Sequence, residues 1–235
     1  MRLLRSDRGY SFTETLISTL IGGIVLTSAF DLYVESSKTT QGQSEAVQMQ
    51  LQVKSAMDLM VREMQLMSGS PTIFTTLKAN DTISFKRIVD SGYSSGGNTA
   101  STLTDTRNTW QSNQYAGQYS VLILAGPGMN EVHSISGNNS TTLTLSNTWV
   151  NIPATTSLYV IYRNEGFTLT AANKLGYRRG SGGYNPIAEN ITNLAFSQPD
   201  STSITIALTG KTSNPDPHTG LDNSYSMTDT VRKRN

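Results

Sequence analysis

One carboxylate, Glu14, stands in a stretch from Tyr10 to Phe30 that carries no other charge. In hydrocarbon a buried carboxylate costs several kcal/mol, so an acid in such a run marks a functional position and needs a cation as its partner. Just ahead of the stretch lie Gly9 and a short leader in which Arg2, Arg5 and Arg8 outweigh Asp7. A secretory signal ends in a small-residue cleavage site after its apolar core. In this chain the glycine precedes the core.

The remaining reactive side chains form no catalytic constellation, and a non-enzymatic chain is expected. There are no cysteines and only two histidines, His133 and His218, so thiol chemistry is absent and no His pair has metal-ligand spacing. No Gly-x-Ser-x-Gly elbow occurs. Gly210-Lys211-Thr212 looks like the end of a phosphate-binding loop, but Thr205 stands where that loop needs glycine, and a strand-end turn fits better. Asn214, Asp216, Asp222 and Asn223 offer oxygens to calcium without the EF-hand spacing, so a solvated polar loop is the preferred reading and calcium binding stays open. Asn139-Ser140-Thr141 and Asn190-Ile191-Thr192 match a glycosylation acceptor, a pattern common by chance. Arg232-Lys233-Arg234 can attract phosphate, but no aromatic residues interleave with it. A solvated strand end is favoured over nucleic-acid binding, which is left open. No cofactor and no metal site is expected.

The acid is positioned by a helix. As helix, Tyr10–Phe30 spans roughly 30 Å, the thickness of a hydrocarbon core, and the arginine-rich leader orients its start to the cytoplasm. Beyond the span, Val53, Met57, Met60, Val61, Met64 and Met67 form one helical stripe, opposed by Lys54, Ser55, Asp58, Arg62, Glu63 and Gln65. Gly69 with Pro71 is a stop signal. The pattern predicts one helix of roughly 55 residues, from near Phe12 to near Ser68, with its methionine stripe packed under a sheet. Gly22-Gly23 interrupts the apolar half. Two glycines there either permit close approach of another helix or mark a place where the helix loosens.

After about Ser70 the period shortens to that of β-structure. Runs at Thr82–Val89, Tyr119–Leu124, Glu131–Ile135, Thr141–Ser146, Ser157–Tyr162, Phe167–Thr170, Leu175–Arg178, Ile191–Ser197, Ser203–Leu208 and Met227–Arg232 read as strands. Gly126-Pro127-Gly128 and Gly137-Asn138-Asn139 read as turns, and Pro186–Asn190 as one helical turn. Asp90–Gln118, rich in Ser, Gly, Asn and Thr, predicts a long irregular excursion. With 15% charged residues and a net charge of +1, the chain has no field that favours nucleic acid or an acidic partner. Abundant Ser, Thr, Asn and Gly favour strands and turns over a helical bundle. The predicted class is α+β, a long N-terminal helix packed on an antiparallel β-sheet head. Its divisions are leader 1–9, membrane half of the helix 10–30, amphipathic half 31–68 and β-rich head 69–235.

Taken together, the basic leader, Gly9, aromatic Tyr10, Glu14 five positions into the mature chain and the apolar helix resemble the type III signal of the type IV pilin superfamily. Tyr10 replaces the usual Phe, and Thr13 and Thr15 stand where aliphatic residues are commoner. The run Ala56–Met64 and the order of strands from Ser157 to the C-terminus resemble PilW-like minor pilins and J-type minor pseudopilins. The resemblance implies a pilin fold, cleavage by a prepilin peptidase between Gly9 and Tyr10, and N-methylation of Tyr10. It also implies that Glu14 pairs with the Tyr10 amine of a neighbouring subunit during assembly, and that helix flexibility resides near Gly22 and Gly23. Expected partners are other pilin and minor pilin subunits, met through the N-terminal helices, the peptidase, and the inner membrane before assembly. The head is expected in the periplasm and then in a surface filament. The role implied is a structural minor subunit at a tip or priming complex of a type IV pilus. A type II secretion pseudopilin, a major pilin and a pilus-borne adhesin or DNA-uptake subunit remain alternatives.

Overall fold

Helix α1, Phe12–Gln65, is one unbroken element of 54 residues, roughly 80 Å long, in a computed structural model that describes residues 11–66, 75–79, 81–200 and 203–232. It contains no proline, and its glycines leave the backbone hydrogen bonding continuous. Leu66 ends it, its N–H reaching back to the Glu63 carbonyl. Met67, the last residue of the predicted stripe, lies outside the described residues.

Among the described residues twelve strands follow: β1 (Thr75–Ala79), β2 (Thr82–Tyr93), β3 (Thr102–Thr104), β4 (Ser120–Ala125), β5 (Val132–Asn138), β6 (Thr142–Leu145), β7 (Leu158–Leu169), β8 (Leu175–Arg179), β9 (Asn185–Ala188), β10 (Ile191–Asp200), β11 (Ser203–Lys211) and β12 (Ser224–Arg232). The large sheet runs β1-β2-β7-β4-β5-β6-β3, with β8 and β9 attached beside β7, and a second sheet is β10-β11-β12. Every pairing is antiparallel. The fold is therefore α+β, an N-terminal helix on a curled antiparallel head.

Strand β7 is the spine of the head. One edge pairs with β2 along nearly its whole length, while the other is shared by β4 at residues 158–162 and β8 at residues 165–169. Alternation puts Tyr159, Ile161, Arg163, Glu165 and Phe167 on one face. Phe167 joins the first core, where Met49, Val53, Met57, Met60 and Met64 meet Ile83, Phe85, Leu194, Phe196, Ile206 and Leu208. Tyr159 and Ile161 join a second core with Leu103, Trp110, Tyr115, Val121, Ile135, Leu143 and Trp149. Arg163 and Glu165 lie between them as a polar seam. That polar pair is why two separate runs, 157–162 and 167–170, were expected where one twelve-residue strand exists.

The excursion at 90–118 also differs from expectation. Residues 90–93 extend β2, 102–104 form β3, and the irregular remainder buries Trp110 and Tyr115 in the second core. Large aromatic side chains supply the buried area that the polar majority lacks. Pro186 lies in β9 rather than in a helical turn. Among the described residues that strand pairs only with β8, so it is an edge where a missing N–H is tolerated. Asn190, at φ 57°, turns the chain into β10. Gly126 and Gly128 adopt φ 85° and 82° in their turn, as the sequence predicts. Gly137, expected in a turn, instead lies in β5 where its register with β6 shifts.

Candidate functional site

Met57, Met60 and Met64 of the methionine stripe are covered by the head, and the first half of α1 is covered by none of the described residues. Phe12, Leu16, Ile17, Leu20, Ile21, Ile24, Val25, Leu26 and Phe30 are all exposed, and this apolar stretch is long enough to cross a membrane. Apolar side chains on every side of a helix mark an element meant for an apolar surrounding. Its threonine hydroxyls are satisfied internally. Thr15, Thr19 and Thr27 donate to the carbonyls of Ser11, Thr15 and Gly23 at 3.2, 2.9 and 3.1 Å. Threonine beside the acid therefore adds no unpaired polar group in hydrocarbon.

Glu14 is exposed in the first turn, and its Oε2 accepts the Ser11 N–H at 3.0 Å. That is half of a capping box, and a carboxylate in this place also complements the helix dipole. The signal was present as Ser11-Phe12-Thr13-Glu14 but is masked by the stronger contrast of one charge in an apolar run. Gly22 and Gly23 are both helical, and a Cβ at either would meet no neighbour within 4 Å. Gly9 and Tyr10, the expected cleavage and methylation positions, lie outside the described residues.

A buried ionic seam ties the helix to the head. Glu63, near the end of α1, accepts Arg87 Nη1 of β2 at 2.8 Å. Glu165, fully buried in β7, accepts Arg163 Nε at 3.0 Å and Tyr177 Oη at 2.7 Å, with Arg87 and Arg179 each 3.9 Å away. Arg163 also donates to Tyr119 Oη at 3.1 Å. Burial alone would favour the neutral guanidine, but the Glu165 carboxylate outweighs it and holds Arg163 above its ordinary value. Burial, followed by the hydrogen bond to Glu165, pushes the Tyr177 phenol upward. These acids are spent on structure.

The second core is pinned in the same way. Buried Asp105 receives the Arg107 Nε at 3.0 Å, Tyr159 Oη at 2.8 Å and Asn108 Nδ2 at 3.0 Å. Burial would raise its carboxyl, yet the hydrogen bonds from Arg107 and Tyr159 prevail and hold it below the carboxylate range. Trp110 Nε1 donates to Asp90 Oδ2 at 2.6 Å. His133 lies edge-on to Trp149 and contacts Glu131 at 3.3 Å.

Two other sequence readings concern the loop after β11. A Cβ at Gly210 would collide with Met49 Sδ and Val53 Cγ2, so this glycine permits the close approach of the helix to the small sheet. Lys211 pairs with Asp222 at 2.9 Å. Asn214 donates to Glu45, and Asp216 accepts the N–H groups of His218 and Thr219. Among the described residues no group of three His, Asp or Glu side chains is placed to hold a metal. No protein-family model, curated protein or solved structure matches the chain.

Proposed function

We propose that the chain is a structural, non-enzymatic subunit of the type IV pilin superfamily, a minor pilin of a tip or priming complex. The observation that carries this reading is the division of α1. Met49, Val53, Met57, Met60 and Met64 lie in the first core of the head, while the apolar side chains between Phe12 and Phe30 are exposed. Such a helix anchors the head in a membrane and becomes an assembly surface when subunits meet. Burial of the apolar half against other helices drives that association once lipid is left behind. Glu14 is the one charge that must be neutralised on the way, and the amine created at Tyr10 of a neighbour is the cation the reading supplies.

Intact-mass measurement of the protein extracted from membranes tests the proposal. The expected product starts at Tyr10 with one added methyl group. A protein still carrying residues 1–9, or one cut after residue 30, removes the basis for assigning the superfamily.

A further inference from the structure

Edge strands are where a sheet can grow, and folded chains blunt them by shortness, proline, bulges or a covering segment. Among the described residues the other terminal strands of the head are blunted in this way. Strand β3 has three residues, and β9 has four and carries Pro186. Strand β1 shifts register after Leu77, while β10 shifts twice and contains Pro199. Strand β12 has none of these devices. Its nine residues pair with β11 in unbroken register, and within the described residues it pairs with no other strand. The outward-facing backbone groups follow from the ladder. Thr212 N–H donates to the Asn223 carbonyl at 2.8 Å, just ahead of the strand. Bonded and unbonded pairs alternate in an antiparallel ladder. Tyr225 and Met227 therefore turn their N–H and C=O toward β11, and Ser224, Ser226 and Thr228 turn theirs away. Thr230 continues the outward set, and its N–H is taken by the Asp229 carboxylate at 2.7 Å. The open edge thus runs from Ser224 to Thr228 and ends at that cap.

Side chains along this edge alternate between two faces of the sheet. Tyr225 and Met227 lie on the helix side, packed against the first core but only partly buried. Ser224, Ser226 and Thr228 lie on the other side and are exposed, with Ser226 in hydrogen-bond contact with Thr209 at 2.9 Å. We propose that this edge accepts an extended segment of a different polypeptide as one further antiparallel strand beside β12. Its backbone exchanges hydrogen bonds with Ser224, Ser226 and Thr228. Its apolar side chains, at alternate positions, complete the burial of Tyr225 and Met227, and small polar ones between them lie beside Ser226 and Thr228. A second copy of this chain does not fit the role. Antiparallel pairing of two β12 edges about a two-fold axis reverses everything that lies along the sheet, α1 included. The apolar halves of the two helices would then point in opposite directions and could not enter one bilayer. The open edge is the same whichever filament or membrane complex the helix joins.

Fluorescence anisotropy on the purified full chain in detergent micelles tests this, with a short labelled peptide in which valine and threonine alternate between terminal lysines. The peptide should bind saturably to the wild type. Ser226→Pro and Thr228→Pro each remove one outward N–H and leave the β11 ladder intact, so both should melt as the wild type does and bind about tenfold more weakly. Thr228→Lys keeps the whole backbone and adds an edge-protecting charge, and it should weaken binding as well. An isomer of the peptide with its valines adjacent should bind about tenfold more weakly than the alternating one. Absence of saturable binding, equal binding of the isomer, or wild-type affinity in all three variants overturns the proposal. Loss of folding in both proline variants overturns it too, because those N–H groups would then serve the fold. A dimer of the chain that the same substitutions dissociate would place a second copy at the edge and equally contradict it.

Discussion

At the scale of single residues, Glu14 has two physical roles that substitutions can separate. Its carboxylate caps its own helix through Ser11, and on the proposed reading it also meets a neighbour's cation. Glutamine at the third helical position preserves the cap but carries no charge. Glu14→Gln and Glu14→Ala should therefore both insert into the membrane, and both should cut incorporation into filaments by about tenfold or more. Normal incorporation of the glutamine variant, read by immunoblot of sheared filaments, would reduce Glu14 to a cap. Glu165 is a different kind of acid, buried and surrounded by arginines. Glu165→Gln should cost about 3–5 kcal/mol, because it strands the Arg163 guanidinium. Thermal melting of the purified chain measures that loss. Asp105 carries the pH dependence of the second core. Its carboxyl titrates below the ordinary range in the fold, so its contribution is present above the unfolded value and disappears as pH falls through the folded one. The acid limb of the stability curve should flatten in Asp105→Asn, and a limb as steep as in the wild type would show that other carboxylates set it.

Among the elements, α1 was the most legible because its pattern is long and periodic. Met57, Met60 and Met64 were expected against a sheet and are fully buried there. Each contributes about 1.5–3 kcal/mol. Met60→Asp should abolish cooperative melting of the head, since a carboxylate would enter the core without a partner. A retained transition at the wild-type temperature would contradict this packing. Strands were readable wherever apolar and polar residues alternate, and they were misread where tertiary partners decide. Arg163 and Glu165 seemed to end a strand because nothing local reveals that Arg87, Tyr177 and Glu63 would surround them. Trp110 and Tyr115 sat in a polar segment whose core lies across the fold in β4 to β7. Gly210 resembled a nucleotide-loop glycine, whereas its role is to let Met49 and Val53 approach. Gly210→Val should thus loosen α1 from the small sheet at a cost of about 1–3 kcal/mol. Proteolysis at the helix–head junction would report it. Of the candidate site, the isolated acid and apolar run were visible in the sequence. The seating of the β11–β12 loop on the helix was not, because Asn214 and Glu45 lie far apart in the chain.

For the whole molecule, the head has two cores on one face of β7, and only the first is built around the helix. The second lobe, with Trp110, Tyr115 and Trp149, adds bulk away from the helix and shares no core residue with it. Heads that tile a shaft must fit between neighbours above and below, whereas a subunit at a tip has none above. On the proposed reading that asymmetry favours a terminal position and a small priming complex with other helices. The central claim is that this chain is a scarce, assembled subunit rather than a solitary membrane protein or the bulk of a shaft. Quantitative proteomics of sheared, purified filaments measures it most directly. The account predicts a few copies per filament, each chain beginning at Tyr10. Absence from the filaments, or a content equal to that of the most abundant subunit, would contradict it.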